Sequence, residues 1–216
     1  MSKKILGIII PYYKNSDECE TQFKLLMKQL SKQITDDMIM YVYEDGQISE
    51  WLKDYEQQNI IIDSCDVNKG VSYARNVALE YLINKVNYIL TIDSDDYVDD
   101  DYLPKMCEYC ADNTHEFIES LFYVYRGLIE YQPKEVRSCT CGTAIKTSVI
   151  GKHRFTENIQ IGEDTDFMHQ ISNLTKQRKK LCRTIYYYQI GINPNSLTML
   201  YQKNKIKKER GKKNDK

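Results

Sequence analysis

Three carboxylates fall within four positions at Asp93-Ser94-Asp95-Asp96, directly after the apolar run Val86 to Ile92. Acids this close raise one another's pKa at neutral pH unless a cation shares the site, so the spacing points to a hard divalent metal held by oxygen. The competing reading is a solvated acidic turn. An EF-hand is excluded, because a calcium loop opening at Asp93 needs oxygen at its fifth position, Gly at its sixth and Glu at its twelfth. This chain has Tyr97, Val98 and Pro104 there. A second acidic pair, Glu163-Asp164 after Gly162, offers a carboxylate for general-base work or a helix start whose acids complement the dipole.

Something must hold those acids. Ile5 to Pro11 reads as an Ile-rich strand, and Ser16 to Gln33 as a helix with apolar residues at Phe23, Leu26, Met27 and Leu30. Met38 to Tyr43 and Ile60 to Asp63 read as strands, Val71 to Ile83 as a helix, and Val86 to Ile92 as a buried strand. Helices between strands make those strands parallel, so the expected class is α/β with a ligand crevice at the carboxyl ends of the strands. Beyond residue 100 the pattern changes to short Tyr- and Val-rich segments between Glu116 and Ile145, expected as antiparallel strands. A helix from Thr165 to Leu174 and a late strand from Leu181 to Ile190 follow.

Four polar loops would meet in that crevice: Pro11-Tyr12-Tyr13, Glu44-Asp45-Gly46, Asn68-Lys69-Gly70 and the acidic run Asp93 to Asp96. No G-x-G-x-x-G turn follows the first strand and no G-x-x-x-x-G-K-[ST] loop is present, which excludes a glycine cradle for phosphate. In order, the chain has Ile8-Ile9-Ile10-Pro11-Tyr12-Tyr13, Tyr43-Glu44-Asp45-Gly46, Asn68-Lys69-Gly70-Val71-Ser72-Tyr73-Ala74-Arg75-Asn76 and Asp93-Ser94-Asp95-Asp96. Phe155-Thr156-Glu157-Asn158 leading to Gly162-Glu163-Asp164-Thr165, then Tyr186-Tyr187-Tyr188 and Asn195-Ser196-Leu197-Thr198, complete the series. With these elements the chain resembles the family 2 glycosyltransferases of the GT-A fold, which move a sugar from a nucleotide diphosphate donor with inversion. The resemblance spans about residues 5 to 200.

The resemblance implies a Rossmann-like, mostly parallel sheet in one domain over residues 1–202, with a nucleotide-binding half (1–100) and an acceptor half (101–202). Pro11, Tyr13, Asp45, Asn68, Lys69, Arg75, Asp93 and Asp95 are then expected at the donor nucleotide, and Asp93, Asp95 and Asp96 around Mn2+ or Mg2+. Asp164 is expected as the general base, with Glu163 as the second choice. Arg75 and Asn76 have an equal claim to holding the turn at a helix start. Tyr12, Tyr13, Tyr97 and Tyr186 to Tyr188 are candidates for stacking on base or sugar. One departure is that many relatives carry Arg or Lys shortly after the late tyrosines, where this chain has Gln189, Ile190 and Gly191.

At 216 residues, with 42% hydrophobic residues and a net charge of -1, the chain suits one packed domain. From Lys203 onward, eight Lys or Arg face two acids, so residues 203–216 carry +6 and residues 1–202 carry -7. That basic end reads as a disordered tail, or as a contact to an anionic membrane surface or DNA. No apolar run is long enough to span a bilayer and no signal-peptide cleavage site follows Met1, so the expected location is the cytoplasm, with the tail able to hold the protein at the membrane. Seven scattered Cys argue for reduced thiols, although Cys107-x-x-Cys110 with Cys139-x-Cys141 could hold zinc. The expected acceptor is a hydroxyl of a surface polysaccharide or lipid-linked glycan. Hydroxymethylated DNA bases, and nucleotide-sugar binding without turnover, are the alternatives. A UDP-sugar is the favoured donor, and the sequence leaves the oligomeric state open.

Overall fold

A computed structural model describes residues 2–126, 130–133, 140–159, 161–172 and 179–190. In chain order the elements are β1 (Lys4–Tyr12), α1 (Asp17–Leu30), β2 (Met38–Asp45), α2 (Glu50–Lys53), β3 (Ile60–Cys65), α3 (Val71–Leu82) and β4 (Val86–Thr91). They continue with β5 (Tyr97–Val98), α4 (Tyr102–Cys110), β6 (Phe117–Arg126), β7 (Glu130–Pro133), β8 (Thr143–Lys146), α5 (Thr147–Ile150), α6 (Glu163–Ser172) and β9 (Lys179–Ile190).

One sheet runs through both halves of the chain in the order β3-β2-β1-β4-β8-β6-β9-β5, with β7 added beside β6. β1, β2, β3 and β4 are mutually parallel. As in other buried parallel sheets, their sequences are rich in apolar residues, and β2 is buried along its whole length. Gly7 lets β1 and β4 close up, since a Cβ there would lie 2.9 Å from Val86 Cγ2. β8 then pairs antiparallel with β4 and β6, as the Tyr- and Val-rich pattern led one to expect. β6 and β9 are parallel to each other, which the sequence did not announce.

The helices cover both faces. α1 opens on Ser16, whose Oγ accepts the Cys19 N–H, and buries Cys19, Phe23, Leu26 and Leu30 against one face of the sheet together with Leu103 and Met106 of α4. On the opposite face α3 contributes Ala74, Ala78, Leu79 and Leu82, packed with Phe155 and with Phe167 and Ile171 of α6. α6 starts at Glu163, two residues earlier than the sequence pattern indicates, so the acidic pair lies in its first turn.

Cys107, Cys110 and Cys141 are buried, and burial pushes the Cys107 thiol up to about 11. No group of three His, Cys, Asp or Glu side chains is arranged to hold a metal ion among the described residues, so the zinc reading finds no support there. Cys139, Asn195 to Thr198 and the basic run 203–216 lie outside the described residues. No described helix is long and apolar enough to cross a membrane.

Candidate active site

The four parallel strands deliver their loops to one end of the sheet. Tyr13 is exposed there, and Gly46, at a φ of 91°, brings its backbone against it: a Cβ at Gly46 would sit 3.1 Å from the Tyr13 ring and 3.0 Å from Asn68 Cβ. The loops after β1, β2 and β3 therefore touch. Pro11 is buried in β1 opposite Tyr43, so it shapes the floor from within the sheet.

Asp45 is buried at the end of β2, and its two oxygens accept the backbone N–H groups of Lys69 (2.8 Å) and Gly70 (2.7 Å). Gly70 precedes α3 and has no side chain to cap it, so Asp45 supplies the missing carboxylate at that helix N-terminus. Asn68 Oδ1 also accepts the Gly70 N–H. Lys69 is exposed, with Nζ donating to Tyr73 Oη at 3.2 Å and lying 4.5 Å from the Tyr73 ring centre.

The acidic loop after β4 divides its three carboxylates. Asp93 is half-buried and its Oδ1 accepts from Arg75 Nη2 at 2.8 Å. Asp95 is half-buried, and burial, with the Asp93 charge added, pushes its carboxyl up to about 7. Asp96, expected beside them as a metal ligand, faces inward instead. It is fully buried, with Oδ2 accepting from Tyr186 Oη (2.5 Å) and Oδ1 from the Gln189 N–H (2.8 Å). Burial, and then the charges of Asp95 and Asp93, hold its carboxyl well above the usual range. Its position ties the acidic loop to β9, which leaves Asp93 and Asp95 as the metal candidates.

Tyr186 is equally interior. Its ring stacks on Phe122 at 5.4 Å and its Oη also accepts the Asp93 N–H at 3.0 Å, so it supports the acids and does not stack on a ligand. Tyr12 is likewise buried, stacked on Phe23 at 4.1 Å. Two glutamines of α1, and Gln33 in the turn after it, brace the segment from Asp95 to Asp99. Gln22 donates to the Asp95 carbonyl, Gln29 to the Val98 carbonyl (2.9 Å), and Gln33 to the Asp99 carbonyl (3.2 Å). The seven-residue spacing of Gln22 and Gln29 puts those two on one face of α1.

Arg75 joins this loop to the second acidic pair. It is 2% exposed, with Nη2 on Asp93, Nη1 on Glu163 Oε1 at 2.7 Å and Nη1 3.8 Å from Asp164 Oδ1. Burial works against the guanidinium's charge, but the surrounding acids, Asp93 foremost, outweigh it and keep Arg75 protonated. Glu163 is buried. Burial raises its carboxyl pKa, and the Arg75 charge only partly offsets that. Asp164 is more open, its side chain 23% exposed against 10% for Glu163. The neighbouring Asn76 holds the segment leading into α6: its amide donates to the Phe155 carbonyl and accepts the Phe155 N–H, both at 2.9 Å. Phe155 stacks on Phe167 at 4.1 Å.

Asp93 and Asp95 are both half-buried, and two such carboxylates suit a small divalent ion that would take its other ligands from phosphate and water, although no third His, Cys, Asp or Glu completes such a group among the described residues. Asp93 and Asp95 are the residues that would hold it.

Comparisons with known proteins identify the family and the fold. The sequence profile described as Glycosyl transferase family 2 matches residues 7–170. The minor teichoic acid biosynthesis protein GgaB of Bacillus subtilis (strain 168) is 26% identical over 174 residues, covering 71% of this chain and 19% of that protein. A teichoic acid poly(glycerol phosphate) polymerase of Staphylococcus epidermidis is 25% identical over 214 residues, covering 85% of this chain and 28% of the polymerase. The chain thus spans less than a third of these relatives' length. Among solved structures, S. aureus TarS 1-349 in complex with UDP superposes with a TM-score of 0.69 at 18% identity, covering 87% of this chain and 61% of that one. The same protein in complex with UDP-GlcNAc gives 0.69 at 18% identity, with coverage of 88% and 59%. At that identity the likeness establishes the GT-A fold.

Proposed function

The chain belongs to glycosyl transferase family 2, and from that premise we propose that it moves a sugar from a UDP-sugar to a hydroxyl of a teichoic-acid-type acceptor, with inversion at the anomeric carbon. One observation carries the reading: Arg75 gathers the acidic loop at the carboxyl end of the parallel strands and the acidic start of α6 around one guanidinium. A donor-side acid and an acceptor-side acid are thereby held at one place, as a direct displacement requires. UDP is favoured because the TarS structures of the same fold contain UDP and UDP-GlcNAc. The acceptor class follows from the teichoic acid relatives GgaB and the poly(glycerol phosphate) polymerase.

In this reading Tyr13, Asn68 and Lys69 border the nucleoside end of the crevice, while Asp45 holds the loop that carries Asn68 and Lys69 in place. Asp93 and Asp95 would hold Mn2+ or Mg2+, which would supply positive charge to the departing diphosphate. Asp164 takes the proton of the attacking hydroxyl. A carboxylate suffices for this, because that hydroxyl becomes more acidic as its bond to the electron-poor anomeric carbon forms. Glu163 is the weaker candidate, since its Oε1 is committed to Arg75.

The test is transfer itself. Incubated with UDP-GlcNAc, Mn2+ and poly(glycerol phosphate), the protein is expected to release UDP and add N-acetylhexosamine mass to the polymer with inverted anomeric configuration. Retained configuration would contradict the single-displacement mechanism, and UDP release without polymer modification would remove this acceptor.

A further inference from the structure

Asp93 and Glu163 lie on different elements, yet they accept from different terminal nitrogens of one buried guanidinium. A fork aimed at a single carboxylate would normally place both nitrogens on it. Here each nitrogen serves a separate acid, at 2.8 and 2.7 Å, and Asp164 stands 3.8 Å from the nitrogen that holds Glu163. The Phe155 ring lies 5.3 Å from the guanidinium carbon, and Arg75 is 2% exposed, so little water screens these charges. Net stabilisation does not explain such an arrangement well, because the desolvation of buried ions commonly cancels their attraction. Division of a single charge has another consequence. The more of it Glu163 takes, the more negative Asp93 remains toward a cation, and the more firmly the first turn of α6, with Asp164, is held.

We propose that Arg75 is a positioning residue that shares its charge between Asp93 and Glu163, so that donor-side cation affinity and the placement of Asp164 are set together. The inference rests on the donor reading above. It assigns Glu163 the part of counter-charge.

Glu163→Gln tests it. The amide can still accept from Nη1, but the Glu163 charge no longer offsets the guanidinium, so more of it acts on Asp93. Calorimetry with UDP in Mn2+ should show affinity falling on the order of three- to tenfold, in line with coupling between neighbouring charged groups. Asp93→Asn should abolish that sensitivity, so the double variant binds no more weakly than Asp93→Asn alone. A purely structural role for the ion pair would leave UDP affinity unchanged once melting curves show a folded protein, and that result would overturn the proposal. Arg75→Lys is the second variant, since its single ammonium keeps the charge but reaches only one acid. It too should shift UDP affinity in Mn2+, and an unaltered value would count equally against the coupling. If the wild-type protein binds none of UDP, GDP, CDP or ADP in Mn2+, the donor reading falls and takes the coupling with it. If it binds UDP normally but Glu163→Gln does so too, only the coupling falls.

Discussion

Asp164 and Glu163 are neighbours in sequence with opposite situations: one more open, the other buried against Arg75. Asp164→Asn is therefore expected to lower transfer by on the order of 10²–10⁴ with UDP affinity unchanged, measured by UDP release and by calorimetry on the same preparation. Retention of more than about a tenth of the turnover would move the base elsewhere, since loss of a general base exceeds that range. Tyr186→Phe removes the donor to Asp96 and the acceptor of the Asp93 N–H, leaving a buried carboxylate under-partnered. A loss of about 1–3 kcal/mol is expected, read from chemical denaturation. At this scale residue type and spacing bring Asp93, Asp95 and Asp164 forward as candidates, and the structure gathers Asp93 and Asp164 beside Arg75. The chain was not legible where direction decides. Nothing in D-x-D-D spacing tells that Asp96 turns inward to β9, or that Tyr186 supports acids in place of stacking on a ligand.

Elements explain why the site residues meet. α3 runs from the loop held by Asp45 to the segment held by Asn76, so one helix is tied to the β2 end and to the approach to α6. Asn76→Ala leaves the N–H and C=O of Phe155 without this partner and should cost about 1–3 kcal/mol. Phe155→Ala, which empties the stack on Phe167, should cost about 3–5 kcal/mol. If Asn76→Ala melts like wild type, the clamp is dispensable and α6 is placed by packing alone. β1 to β4, α1 and α3 were readable because the strands are rich in apolar residues and α1 carries a period of 3.6, whereas the short α2 and β5 carry no such pattern. The parallel pairing of β6 and β9 was not, because the β-pattern of Phe117–Arg126 and Lys179–Ile190 suits either direction. The start of α6 was read late because its first turn is acidic and carries no apolar stripe.

Over the whole molecule, charge is segregated: residues 203–216 hold +6 and the remainder -7. Near an anionic membrane each basic residue contributes about 1 kcal/mol, enough for peripheral attachment. Removing residues 203–216 is expected to lower co-sedimentation with anionic liposomes without changing the melting temperature. Loss of duplex DNA retention instead would favour the nucleic-acid acceptor, and binding to neither at physiological salt would end both tail arguments. We propose a metal-dependent UDP-sugar site at the carboxyl ends of β1 to β4, with Asp93 and Asp95 as its cation-holding acids. Calorimetric titration of UDP-GlcNAc tests it most directly, in Mn2+ and then in EDTA, on wild type and on Asp93→Asn. Wild type is expected to bind saturably in Mn2+, with binding lost in EDTA and sharply weakened in the variant. Equal affinity with and without the ion would contradict it.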